Sequence, residues 1–142
     1  MNQIEILQLI AECLDDPKWT RGLNLNGGMN PVWLDYLPPE IGKLTNLEIL
    51  NVDFNNLTTL PPEIGNLPNL KNLAVHANQI TALPREIGNL TNLTNLGMSK
   101  NRLTELPPEI GNLTNLTDLE LGINPLTALP PFYLTCKCQE QP

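Results

Sequence analysis

Aromatic side chains are scarce in this chain: two Trp, two Tyr and two Phe among 142 residues, 4% in all. That excludes an aromatic core, so burial must come from the aliphatic residues that dominate the 41% hydrophobic fraction. Basic residues are also few, 8 against 15 acidic, for a formal net charge of −7. A chain so acidic repels phosphate, which argues against nucleic acid and against an anionic membrane surface as partners. Histidine occurs once and cysteine three times, at Cys13, Cys136 and Cys138. An odd, sparse set of thiols is no disulfide framework, and a C-x-C pair with one distant histidine is no zinc site. No metal or other cofactor is expected. No apolar run approaches the roughly 20 residues of a membrane-spanning helix. The opening "MNQIEILQLIAECLDDPKW" lacks a basic start, and Glu5 and Glu12 interrupt its apolar stretch, so it does not read as a signal peptide. A cytoplasmic location is the expectation. The length suits a single domain.

What the sequence has in abundance is itself. "LPPEIGKLTNLEI" begins at Leu37, "LPPEIGNLPNLKN" at Leu60, "LPREIGNLTNLTN" at Leu83 and "LPPEIGNLTNLTD" at Leu106. The frames are 37–59, 60–82, 83–105 and 106–128, and a fifth starts at Leu129 and stops early. A fixed period of this size marks a stacked repeat, in which each unit buries its apolar face only against its neighbours.

Within a frame, Leu73 and Val75 alternate with Asn72, Ala74 and His76. Period two predicts a short strand with one buried face. Leu50 with Val52, Leu96 with Met98 and Leu119 with Leu121 predict the same, and strands recurring once per coil must run parallel. An asparagine follows each strand: Asn55, Asn78, Asn101 and Asn124. Where the chain turns inward, backbone groups need partners, and an amide that both donates and accepts can bridge neighbouring coils. These four residues are expected to form an internal ladder. The remainder of each frame, "LPPEIGNL" in its second copy, opens with prolines that favour extended backbone. Ile64 and Leu67 then share one face of a single turn, and Gly65 discourages a longer helix, so a short 3-10 or irregular turn is predicted. The coil is wider on that side, which curves the stack and puts the strands on its concave face.

The spacing L-x-x-L-x-L-x-x-N-x-L, carried by Leu47, Leu50, Val52 in a leucine slot, Asn55 and Leu57 and repeated downstream, resembles the leucine-rich repeat family. With "LPPEIGNLTNL" it is similar to the 23-residue bacterial and plant-like intracellular subclass, as found in bacterial Roco-type GTPase proteins and Ras-linked repeat proteins. The resemblance covers about residues 20–136. It implies an α/β fold: a right-handed solenoid with short parallel concave strands, an irregular or 3-10 convex side and an N-terminal capping helix.

Residues 1–142 are expected to form one repeat domain. Residues 1–19 make a capping helix and linker, 20–36 an atypical first coil, 37–128 four regular repeats, and 129–142 a truncated last coil. Asn2 with Glu5 reads as a capping box, and Ile4, Leu7, Ile10, Ala11 and Leu14 as the helix's buried face, before Asp15, Asp16 and Pro17 end it. The first strand is expected at 22–26, Gly28 standing where the ladder asparagine belongs. The first coil is four residues longer than the matching span and so is expected to carry an insertion containing Trp33 and Tyr36, whose rings either cover the first core layer or form a partner-binding rim. At the other end Phe132 and Tyr133 replace the Glu and Ile of "PPEIG". The five Asn-Leu-Thr strings, such as Asn92-Leu93-Thr94, fit the glycosylation sequon and are read as repeat grammar.

Outward strand positions fall into columns. The first is Gly22, Ile49, Asn72, Asn95 and Asp118, and the second Asn24, Asn51, Ala74, Gly97 and Glu120. The third is Asn26, Asp53, His76, Ser99 and Gly122, followed by Gly27, Phe54, Ala77, Lys100 and Ile123. Asp53, His76 and Ser99 have the composition of a hydrolase triad, yet stand in parallel on an open face with no marked oxyanion hole, so catalysis is not expected. The expected function is non-catalytic binding of a protein partner by the concave face. Ile49, Asn51, Asp53, Phe54, Asn72, His76, Asn95, Ser99, Lys100, Asp118 and Glu120 are the candidate contacts. Alternatives are a recognition segment of a larger signalling protein such as a Roco-like GTPase, or a scaffold that self-associates. The expected state is a monomer, or a weak homodimer through exposed terminal coils.

Overall fold

Every 23 residues the chain completes one coil and contributes one three-residue strand. A computed structural model of the chain describes residues 3–15, 21–29 and 33–129. The strands are β1 Gly22–Asn24, β2 Ile49–Asn51, β3 Asn72–Ala74, β4 Asn95–Gly97 and β5 Asp118–Glu120. They form one sheet in chain order, each pair parallel. Leu23, Leu50, Leu73, Leu96 and Leu119 stand in register and point inward. The core is aliphatic and continuous from coil to coil: Leu47, Leu50, Val52 and Leu57 are 0% exposed, and so are Leu70, Leu73, Val75 and Ile80. Each such side chain stabilises by about 1.5–3 kcal/mol on leaving water, but only because the adjacent coil covers it.

The opposite side of each coil is a 3-10 turn: Pro39–Lys43, Pro62–Asn66, Arg85–Asn89 and Pro108–Asn112. Pro38, Pro61, Pro84 and Pro107 enter these turns with extended backbone, as the ring's fixed φ favours. Ile41, Ile64, Ile87 and Ile110 are the residues each turn buries. The glycine at the fourth of the five positions has a role beyond limiting helix length. A Cβ on Gly42, Gly65 or Gly88 would stand 2.6 Å from the carbonyl oxygen of Glu63, Glu86 or Glu109 in the next coil. These glycines let successive turns stack at backbone contact.

Helix α1, Gln3–Asp15, packs against the first of these turns. It buries Ile6, Ile10 and Cys13, with Leu9 packed at the edge, while Ile4 and Leu14 are 75% and 44% exposed. The expected face of Ile4, Leu7, Ile10, Ala11 and Leu14 is therefore corrected. Two stripes of period 3.6 run along this helix and share Ile10, and contact with the first coil selects the one holding Ile6 and Cys13. Asn2, Asp16 and Pro17 lie outside the described residues, as do Phe132, Tyr133, Cys136, Cys138 and all but the first residue of the last coil.

The first strand ends at Asn24, and Gly27–Met29 forms its own 3-10 turn. Leu34 then takes the place that Leu57 holds one coil later, since both amides donate to the asparagine 21 residues ahead. The expectation that Trp33 and Tyr36 lie in the insertion is therefore corrected: the extra residues precede Trp33, and both rings occupy ordinary repeat positions. Neither ring seals the core: Trp33 is 61% and Tyr36 40% exposed.

One column is strained. Phe54, Ala77, Lys100 and Ile123 all have φ between 51° and 59°, in the left-handed region that β-branched residues avoid. Ile123 gains little in return, being 74% exposed. Ile123→Asn should stabilise the protein by about 1 kcal/mol, by relieving that strain. A urea melt with an unchanged or lower midpoint would refute the assignment of strain.

Candidate functional site

The concave face is held in shape from beneath by the four asparagines that follow the strands. Asn78 Nδ2 donates to the carbonyls of Val52, Val75 and His76, and its Oδ1 accepts from the Leu57 amide at 3.0 Å. Asn55 bonds likewise to Leu25, Val52, Asp53 and Leu34. Asn101 donates to Val75 and Met98 and accepts from Ile80. Asn124 donates to Met98 and Leu121 and accepts from Leu103. Each amide thus ties its own coil to the one before.

A second series runs along an exposed edge and had no separate signal in the sequence. Asn69, Asn92 and Asn115 donate to the carbonyls of Thr45, Pro68 and Thr91, while Thr94 and Thr117 hydroxyls donate to Lys71 and Thr94. Recurrence of Asn at this spacing is visible, but two of the three strings that carry it, at Asn92 and Asn115, also spell sequons.

The outward rows are the registered rows of the sheet. Gly22, Ile49, Asn72, Asn95 and Asp118 align across all five strands, and so do Asn24, Asn51, Ala74, Gly97 and Glu120. Beyond the strands the ladder continues through Phe54 N to His76 O, Ala77 N to Ser99 O and Lys100 N to Gly122 O.

In the third row the side chains serve the backbone. Asp53 Oδ1 accepts from the His76 amide at 2.7 Å, and His76 Nδ1 accepts from the Ser99 amide at 3.1 Å. Asn51 Oδ1 accepts from the Asp53 amide at 2.9 Å. The His76 and Ser99 amides thus find their acceptors in side chains of the preceding coil, and the Asp53 amide finds one in Asn51 of its own segment. The His76 ring lies over Gly97, where a Cβ would overlap it. A triad histidine donates Nδ1–H to a carboxylate and uses Nε2 as the base. Here Nδ1 presents its lone pair to a backbone N–H, and the Asp53 carboxylate is engaged with another. The three residues are brought together as a capping series, not as a proton relay.

What remains free on the face is unevenly distributed. Ile49 and Phe54, at the two ends of the β2 segment, are 51% and 50% exposed. Asp118 and Glu120 on β5 are exposed and form no ion pair among the described residues, although Asn95 donates to Asp118 at 3.4 Å. Asn72 is exposed, Asn95 and Ser99 are half-buried, and Lys100 is exposed at the rim. Upstream of the strands, Glu48 meets Lys71 at 2.8 Å and Arg21 at 3.6 Å, and the Lys71 hydrogen bond holds the Glu48 carboxyl below its usual range. Burial first, and then the Glu12 carboxylate, push the Cys13 thiol up, so it is a poor nucleophile. Among the described residues no three His, Cys, Asp or Glu side chains group as metal ligands, and no helix is long and apolar enough to cross a membrane.

Comparison with known proteins places this geometry. A family model described as a leucine-rich repeat region matches residues 23–99, and a model of two leucine-rich repeat copies matches residues 91–134. A search of curated proteins gave no significant match. Among solved structures, a Leptospira interrogans leucine-rich repeat protein is similar at 38% identity and a TM-score of 0.69, over 84% of this chain. The plant peptide hormone receptor RGFR1, solved in complex with RGF2, is similar at 32% identity and 0.71, over 82% of this chain. PEPR1, solved with AtPEP1, shares 30% identity at 0.63 over 68%. The chain spans 36%, 19% and 14% of those three proteins.

Proposed function

This chain belongs to the leucine-rich repeat family, and from that premise we propose that it is a non-catalytic module binding a partner protein along its concave strand face. The observation that carries this is an open five-stranded sheet on which Asp53 and His76 are committed to backbone amides while Ile49, Asn72, Asp118 and Glu120 stand exposed. The candidate contacts are Ile49, Asn51, Phe54, Asn72, Asn95, Lys100, Asp118 and Glu120, with Asp53, His76 and Ser99 as a rigid floor between them. The similarity to a peptide hormone receptor solved with its ligand supports a protein or peptide partner. The free apolar and acidic groups favour contact through side chains, and the rigid floor limits the loss of entropy on binding.

The test is a photo-crosslinking residue placed at Asn72 on the concave face or at Asn66 on the convex turn, both exposed. Irradiation in a lysate of the source cell should yield a discrete adduct from position 72 and none from 66. Equal capture from both, or capture from 66 alone, would overturn the concave assignment. The small share of its structural neighbours that the chain spans favours a second reading, a recognition segment of a larger signalling protein. Downstream coding sequence for a catalytic domain in the same frame, a Roco-like GTPase for instance, would support it.

A further inference from the structure

Building on that concave reading, we propose that the partner segment is extended, crosses the strands, and carries one apolar and one cationic side chain four positions apart. Two strands of the face, the second and the last, differ in chemistry. The β2 segment offers Ile49 and Phe54, large apolar groups about half-exposed. At the β5 end stand Asp118 and Glu120, exposed carboxylates without an ion pair among the described residues. Between them the second row falls to Ala74 and Gly97, and the half-buried His76 ring fills the space over Gly97, so the floor there is low and closed and no exposed side chain of that row stands in the path of a main chain.

The spacing follows from the sheet. Strands β2 and β5 are separated by three strand intervals, or ~14 Å at the usual ~4.8 Å each. An extended chain advances ~3.4 Å per residue, so four residues cover that span. Alternation of side chains then adds a parity rule. Positions i and i+4 both face the sheet, and i+2 meets the shallow Ala74–Gly97 floor. Separations of three or five turn one anchor away, and a separation of two falls short. The apolar side chain meets Ile49, which stands in the same row as Asp118, whereas Phe54 lies five residues further along the segment and out of that line. A cation is the complement of the acidic end, and the chain's net charge of −7 draws it in at low salt.

The experiment uses fluorescein-labelled serine–glycine peptides bearing one leucine and one arginine at separations of two, three, four and five, in both chain directions. Fluorescence anisotropy against the full chain reads affinity at low salt. The separation of four, in at least one direction, should bind about fivefold tighter than three or five. In the Asp118→Asn/Glu120→Gln double variant and in Ile49→Ala, this preference should vanish. All three positions are exposed, so circular dichroism and melts should confirm an intact fold. Equal affinity at every separation, or no binding while a crosslinker at Asn72 still captures a partner, would overturn the gauge and leave concave binding standing. Failure of both the peptides and the crosslinker would overturn the two readings together.

Discussion

Asn78→Ala should lower the unfolding free energy by about 1–3 kcal/mol, because it strands the Leu57 amide and leaves buried carbonyls short of a donor. Asn78 is only 8% exposed, so water cannot readily replace the lost partners. Asn101→Ala should behave alike, since its amide spans Val75, Met98 and Ile80 in the same manner. The control is the same substitution at Asn72, an exposed concave amide, which should change stability by no more than about 0.5 kcal/mol. Urea denaturation followed by circular dichroism decides the matter. Equal midpoints for the Asn72 and Asn78 variants would show that these buried bonds do not stabilise the stack.

The second large effect is expected on the other side of the coil. Gly88→Ala should destabilise by about 1–3 kcal/mol, the usual range for overpacking a filled site. Its new methyl would sit 2.6 Å from the Glu109 carbonyl oxygen and 2.8 Å from Glu109 Cβ. Backbone cannot rotate aside as a side chain can, so the two turns must separate. Gly22→Ala is the matched control, with nothing within 4 Å of the added carbon. Alanine there should be neutral or slightly stabilising, since it also restricts the unfolded chain. A Gly88→Ala protein that melts with the wild type would mean that the coils are not in backbone contact at their turns.

These two sites differ in how far they could be read from the sequence. The 23-residue period made the strands, their parallel order and their rows legible, because a side chain's row is fixed once one copy is aligned with the next. Gly88 was visible as a repeated residue, but its neighbour across the coil was not, since that clearance depends on how far apart turns stack. The helix defeated the reading for a different reason: Ile6 and Cys13 compete with Ile4 and Leu14 for one buried face, and only the first coil chooses. The strained column was hidden because Phe54, Ala77, Lys100 and Ile123 carry no glycine to announce a left-handed turn. In the third row, the composition of Asp53, His76 and Ser99 was plain, while the direction of their polar atoms was not. Identity places three side chains side by side. Only the folded coils show that Asp53 and His76 turn toward the backbone amides of the next coil.

Every ladder bond of the asparagines joins a coil only to itself or to its immediate neighbour. That locality bears on inheritance. A gene copying event that duplicated residues 60–82 in frame would insert a coil whose one new interface joins two copies of the same unit and repeats the kinds of contact already made between neighbouring coils, so the protein could lengthen in one step. Deletion of a whole unit would be equally tolerated. Each such event would move the two ends of the concave face apart or together by ~4.8 Å, a change in reach made without altering a single surface residue.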